Sequence, residues 1–370
     1  MTVTYDQVRA WRLRQQGLAP RTDVTAEQVI ERLAGVQAQV ASSAELAVAT
    51  RRRLPAPGAV AKALDARTVV KTWTMRGTLH LHGVSQVGAY LSLMGAARTW
   101  EKPVWQRTFG VTPPQIEALG EAVDEVLDGT VLTRQELTAA LVEREGFADL
   151  ESQLTSGWSA VLKPLAWMGR ICHGPAQGAR VTFTSPRSWI PNWSGVPQPD
   201  EAARVVVPAY LHAHGPATPT TFDAWLTRGM SRKAALRSWF ALLGDQVATV
   251  DVDGDECSML AADVDALART RPSREVRLLA GFDQYVLGPG TGDVRIVAAD
   301  RRKAVSRTAG WISPVVIHAG RVAGVWELAD DTVDVRPFPE ADVPVDGLEA
   351  EVEHLAAGTG RPLSLAVRAP

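Results

Sequence analysis

Thr68-Val69-Val70-Lys71-Thr72-Trp73-Thr74-Met75-Arg76-Gly77-Thr78-Leu79-His80-Leu81-His82-Gly83 is the stretch on which the fold turns. It is rich in β-branched and aromatic residues and is broken once, at Met75-Arg76-Gly77. That pattern reads as two strands joined by a turn. What precedes it is helical. Thr4 can cap an amphipathic helix over 4–17, with Val8, Trp11 and Leu13 on its apolar side. Thr25 opens a second helix that ends near Gly35. Ser42 or Ser43 caps a third through Arg53, and 58–66 forms a fourth. A group of helices closed by a β-hairpin has the parts of a winged helix.

The same order of parts returns twice. Thr112 opens a helix ending at Gly129, and Thr133 with Glu136 forms a capping box for the next. A helix from Ser156 must accommodate Pro164, and 170–186 reads as strand, turn, strand. After a Pro- and Trp-rich linker at 186–200 come a helix interrupted at Pro208, a helix capped at Thr220-Thr221-Phe222-Asp223 and a helix opened by Ser231. A hairpin then turns at Asp253-Gly254. The repeat is one of pattern, at about 100 residues per unit. Residues 274–335 read as strands, with 276–288 and 294–300 among them and a hairpin turn at His318-Ala319-Gly320-Arg321. A short helix at 347–358 and a last strand follow. The expected fold is α+β. It comprises winged helix 1 at 1–110, winged helix 2 with a linker at 111–200, winged helix 3 at 201–273 and a β-rich C-terminal domain at 274–370.

Composition excludes several classes. The chain has 370 residues, 46% of them hydrophobic and 22% charged, which suits a globular protein of more than one module. No apolar run approaches the roughly 18 residues of a membrane span, and the start lacks an export signal. A cytoplasmic protein is expected. Cys172 and Cys257 match neither a metal site nor a disulfide framework and read as buried thiols. The net charge of -2 conceals an asymmetry: residues 1–110 carry 15 Lys/Arg and 7 Asp/Glu, whereas 111–370 carry 24 and 34. An N-terminal cationic excess suits nucleic acid.

The candidate contacts follow from that. His80 and His82 alternate with leucines and share one strand face, with Arg76 at the turn of the same hairpin. Contact with a DNA phosphate or groove competes with an exposed polar face. Arg51, Arg52 and Arg53 end a helix, where cations also suit the dipole. Arg301, Arg302, Lys303 and Arg307 form a second basic cluster, read as a hairpin loop. Trp73 and Trp311 lie near basic residues and could stack on bases. No serine-hydrolase elbow, P-loop or dinucleotide fingerprint is present. No third metal ligand joins the histidine pair, so no metal or cofactor is expected. Gly35-Val36-Gln37-Ala38-Gln39-Val40 places two amides in an apolar run. On a regular helix, residues two apart face different directions, so one site for both requires an extended or turned backbone. Chemistry alone favours solvated or satisfied core amides over a site.

GVQAQV at 35–40, TWTMRGTLHLH at 72–82, FDQYVLG at 282–288 and GRVAGVW at 320–326 together resemble the AlkZ/YcaQ-like DNA glycosylases of the winged helix DNA-binding domain-containing superfamily. The resemblance spans essentially the whole chain. It implies three tandem winged helix-turn-helix units and a β-domain forming a concave DNA-binding channel. It also implies a catalytic motif of Gln, an apolar residue, then Gln or Asp, which falls on Gln37-Ala38-Gln39. Gln39, where the sister branch has an acid, places the chain with the crosslink-resistance branch. The implied function is a monofunctional DNA glycosylase. It would hydrolyse the N-glycosidic bond of N7-alkylguanine and unhook azinomycin-type interstrand crosslinks, conferring self-resistance. Its partner would be double-stranded DNA carrying alkylated or crosslinked guanine, and it would act as a monomer without cofactor, membrane or protein partner. A cationic N7-alkylguanine leaves with little acid assistance, so two amides that place water would suffice. No lysine lies near the motif for lyase chemistry. The competing readings are a non-catalytic winged-helix regulator and a drug-sequestering protein.

Overall fold

Threonine capping sets where the helices begin. The structure, a computed structural model, describes residues 1–368. Thr4 and Thr25 close capping boxes with Gln7 and Gln28, opening helices Tyr5–Gln15 and Ala26–Arg32. Thr112 and Thr133 do the same for Pro113–Val126 and Arg134–Val142. Each box satisfies backbone N–H groups that the first helical turn leaves without partners.

Several boundaries differ from the sequence expectation. The third helix is Ala41–Ala49, with Val40 as an N-cap that makes no side-chain bond, so Ser42 and Ser43 lie inside its first turn. It stops before Arg51. The helix expected from Ser156 shortens to Leu162–Trp167, which places Pro164 in a first turn where a missing N–H costs nothing. Pro199–His214 runs through Pro208. Pro219–Thr227 begins ahead of the expected cap, and the Thr218 hydroxyl accepts from the Thr221 N–H at 3.1 Å. Arg232, rather than Ser231, is the N-cap of Lys233–Ala241.

The described chain divides into two interleaved compact units, 1–62 with 207–225 and 243–370, and 63–206 with 226–242. In the first, Val247–Val252 and Asp255–Leu260 form a hairpin through Asp253 and Gly254, both at positive φ, and Thr2–Val3 joins it in parallel. Val8, Trp11, Val250 and Met259 fill the adjoining core. A second sheet runs in the order Val276–Leu279, Val315–His318, Arg321–Ala329, Thr332–Pro337, Ser364–Val367, antiparallel except for its last pair. Helix Val345–Thr359 buries Leu348, Val352 and Leu355 against it.

Two expected strands of this unit take other forms. Within 276–288, only Val276–Leu279 is a strand; Gln284–Leu287 is a short helix. Asp283 caps it, accepting from the Tyr285 N–H at 2.8 Å. Tyr285 and Val286 are buried, and a buried apolar run reads alike as strand or helix. Residues 294–300 form no strand. They lead into Ala299–Arg301 and Arg302–Val305, so the second basic cluster lies mainly on helical turns rather than in a hairpin loop.

In the second unit the hairpin is present, with Val69–Trp73 paired to Leu79–Gly83 in the register Val69↔Gly83 to Trp73↔Leu79. Its other side is also occupied. Lys71 pairs with His173 of Cys172–His173, followed by Thr182–Thr184 and Leu132–Thr133. Two hairpins expected as separate wings are therefore continuous in one sheet. Cys172 and Cys257 are both buried and free, and burial pushes both thiols up.

Candidate functional site

The Gln37–Gln39 segment leaves the helical path. Ala34 and Gly35 take φ of 57° and 103°, ending the preceding helix. Val36–Gln37 is a short strand, Ala38 leads from it into a bend at Gln39 and Val40, and the Val40 dihedrals are extended. The helical geometry that would turn the two amides apart is absent. Gln37 is buried and engaged by the surrounding protein, whereas Gln39 is exposed. Helix Ala41–Ala49 starts directly beyond them without a side-chain cap, so its first N–H groups are open to an acceptor.

The far end of that helix is tied down by charge. The Arg51 guanidinium donates to both Asp283 carboxylate oxygens, at 2.8 and 2.7 Å, and also to the Gln16 side-chain oxygen at 3.1 Å and the Ala47 carbonyl at 2.8 Å. Both charged groups are about 99% buried, with relative exposures of 1%. Arg51 is therefore a structural residue, which corrects its expected role at DNA: four donors are committed and the fifth, Nε, is enclosed away from any phosphate. The loop holding Asp283 also reaches the start of the helix. A Cβ on Gly281 would stand 3.7 Å from the Ser43 hydroxyl and 2.8 Å from the Ile312 carbonyl oxygen. FDQYVLG thus supplies the anchor behind Gln39. Its final Gly288 is required for space: a Cβ there would lie 2.1 Å from His214 Nδ1. Gly288→Ala is expected to cost about 1–3 kcal/mol by overpacking. A lower urea midpoint with unchanged slope would record it, and an unchanged midpoint would refute it.

The remaining basic residues separate into committed and available. Arg52 donates to the Val24 carbonyl at 3.0 Å, and exposed Arg53 pairs with Asp23 at 2.5 Å. Arg301 is held by both oxygens of Glu340, at 2.9 and 2.6 Å. Arg302, Lys303 and Arg307 are exposed. Trp311, 43% exposed, lies edge-on to Phe282 at 5.1 Å and borders a cavity of about 500 Å³ together with Arg307 and Arg336.

In the second unit the sheet overturns three expected contacts. His80 and His82 are 0% and 1% exposed, and Trp73 is 4% exposed. Trp73 packs on His173 and Phe183, and its carbonyl accepts from the Trp167 indole at 3.1 Å. His80 Nδ1 donates to the Thr78 carbonyl at 3.0 Å, and His82 Nε2 shares a hydrogen bond with the Thr74 hydroxyl at 2.9 Å. Burial drives His80 well below the usual imidazole range, with Arg76 and His82 adding to the effect, and lowers His82 to about 3. Both are neutral near pH 7 and cannot serve as phosphate cations. Arg76 is half-buried, and burial beside Arg228 lowers it to about 10. Sequence reading passed over Lys163, Arg228 and Trp158, the last 81% exposed. A signal for one was present: Arg228-Gly229 repeats the dipeptide Arg76-Gly77. Among the described residues no group of three or more His, Cys, Asp or Glu is placed to hold a metal, and no helix is long and apolar enough to cross a membrane.

Residues 30–358 match the family described as DNA glycosylase AlkZ-like. The chain is similar to an interstrand DNA cross-link repair glycosylase of Streptomyces sahachiroi, with 49% identity over 362 residues, covering 97% of this chain and 98% of that protein. Its fold is similar to the solved structure of Streptomyces sahachiroi DNA glycosylase AlkZ, with a TM-score of 0.97, 48% identity and full coverage of both chains.

Proposed function

The chain belongs to the AlkZ-like DNA glycosylase family, and from that premise we propose that it hydrolyses the N-glycosidic bond of N7-alkylguanine in duplex DNA and unhooks interstrand crosslinks. The carrying observation is the non-helical Gln37-Ala38-Gln39 segment, one amide held and the other exposed, braced by the buried Arg51–Asp283 pair. A glutamine carbonyl accepts from a water while its amide donates to DNA, which positions the water against the anomeric carbon. A neutral amide is a weak base. The substrate must therefore supply the driving force, as a cationic N7-alkylated base does.

Azinomycin-type crosslinks as substrate, a self-resistance role, a purely hydrolytic mechanism and three winged helices lining a DNA channel belong to the same proposal. It is supported by the relative's cross-link repair activity and by the helices and hairpins that recur along the chain. A guanine tethered to both strands cannot rotate freely into a closed pocket, so contacts spread along the duplex suit it better than a deep cavity. The test is incubation with N7-methylguanine and crosslinked duplexes, followed by alkali. Strand cleavage at the modified guanine is expected only after alkali. No abasic sites would refute the glycosylase reading, and cleavage before alkali would refute the monofunctional one.

A further inference from the structure

Three cations of the second unit converge from three separate elements. Arg76 lies in the turn between Val69–Trp73 and Leu79–Gly83, Lys163 in the first turn of Leu162–Trp167, and Arg228 just past Pro219–Thr227. A Cβ on Gly77 would lie 3.7 Å from Lys163 Cδ and 3.9 Å from its Nζ, so the lysine lies against the Arg76-Gly77 turn. Arg228 acts electrostatically on both Arg76 and Lys163.

Two features set this group apart from ordinary surface charge. The first is backbone conformation. Arg76 and Arg228 have φ of 60° and 64°, and each is followed by a glycine at positive φ, 69° and 80°. A left-handed non-glycine residue costs about 1–2 kcal/mol, and such residues concentrate at ligand sites. The second is grouping: Lys163 lies against the Arg76-Gly77 turn and both feel the charge of Arg228. Among the described residues no carboxylate pairs with Lys163 or Arg228. Burial and Arg228 also push the Lys163 ammonium down, so the cluster is held against its own repulsion.

We propose that Arg76, Lys163 and Arg228 form a cradle for one backbone phosphodiester of duplex DNA. An anion offsets the mutual repulsion, and the Arg forks with the Lys point charge supply donors to its two free oxygens. The cradle rests on the DNA-acting reading above. It contributes register and affinity without sequence or lesion preference.

The test measures binding of undamaged and N7-methylguanine duplexes against salt for wild type, Lys163→Gln, Arg228→Ala and, as a control, Arg144→Ala. Melting curves verify that each variant is folded. Lys163→Gln and Arg228→Ala are expected to reduce the slope of log affinity against log salt by about 1 and to weaken both duplexes equally. Both should raise the protein concentration that half-saturates single-turnover excision, as weaker duplex binding requires. Arg144→Ala should leave the slope unchanged. Wild-type slopes in both cradle variants would overturn the proposal. So would a melting shift by inorganic phosphate, lost in the variants, with unchanged DNA slopes, since the site would then take a free anion. Wild type that binds DNA but excises nothing would remove the glycosylase reading and leave the cradle standing; wild type that binds no duplex removes both.

Discussion

Replacing Gln39 with alanine is expected to reduce single-turnover excision of N7-methylguanine by at least about 100-fold, the scale of losing a positioned reactant. The fold should survive. Gln39 is exposed, and exposed substitutions of this kind usually change stability by within about 0.5 kcal/mol. Gln37→Ala should lose comparable activity and also cost about 1–3 kcal/mol, because a buried, engaged amide is removed. The asymmetry separates chemistry from folding, with Gln39 the cleaner probe. Amides do not ionise, so the wild-type rate should be flat between about pH 6 and about pH 8. A steep limb in that window would point to a titrating general base. Wild-type excision by the double variant would end the catalytic assignment.

The second large effect concerns stability. Arg51→Ala or Asp283→Ala should each cost about 3–5 kcal/mol, because either leaves its partner charged and buried without a countercharge. Replacing both with apolar residues of similar volume should cost much less. A double-mutant cycle by urea denaturation should therefore show strong non-additivity. Single losses below about 1 kcal/mol would refute the bracing role. The singles should also impair excision. The pair fixes one end of helix Ala41–Ala49, and the loop beside Asp283 meets its other end at Ser43.

How far the sequence was legible varied with what carries each feature. Capping threonines mark helix starts locally, so Thr4, Thr25, Thr112 and Thr133 are readable as written. The hairpin at 68–83 is equally local. Its surroundings are not. Lys71 pairs with His173 a hundred positions away, and that distant pairing turns a solvent-facing wing into a sheet interior. Packing on the sheet faces completes the burial, Trp73 on His173 and Phe183 and His82 on Tyr90, so that these two and His80 change from contacts to core. Arg51 changes for a similar reason, since its partner Asp283 is remote in sequence and nothing near Arg51 announces a buried ion pair. Gln37 and Gln39 were found through family resemblance. Residue chemistry contributed the demand for a non-helical backbone, and the backbone has that form. Lys163 and Arg228 escaped because their grouping with Arg76 arises only in three dimensions.

The 232-residue separation of Arg51 from Asp283 has a consequence during synthesis. A ribosome adding about 5–20 residues per second needs roughly 10–50 s to pass from one to the other. Gln37 and Gln39 leave the exit tunnel early, but the loop that braces their helix emerges late. All of residues 63–206 and 226–242, which form the other compact unit, are made in the interval. The nascent chain therefore carries its two amides ahead of an unbraced helix for much of its translation. On the proposed function, its competence to act on DNA waits for the segment around Asp283 to emerge.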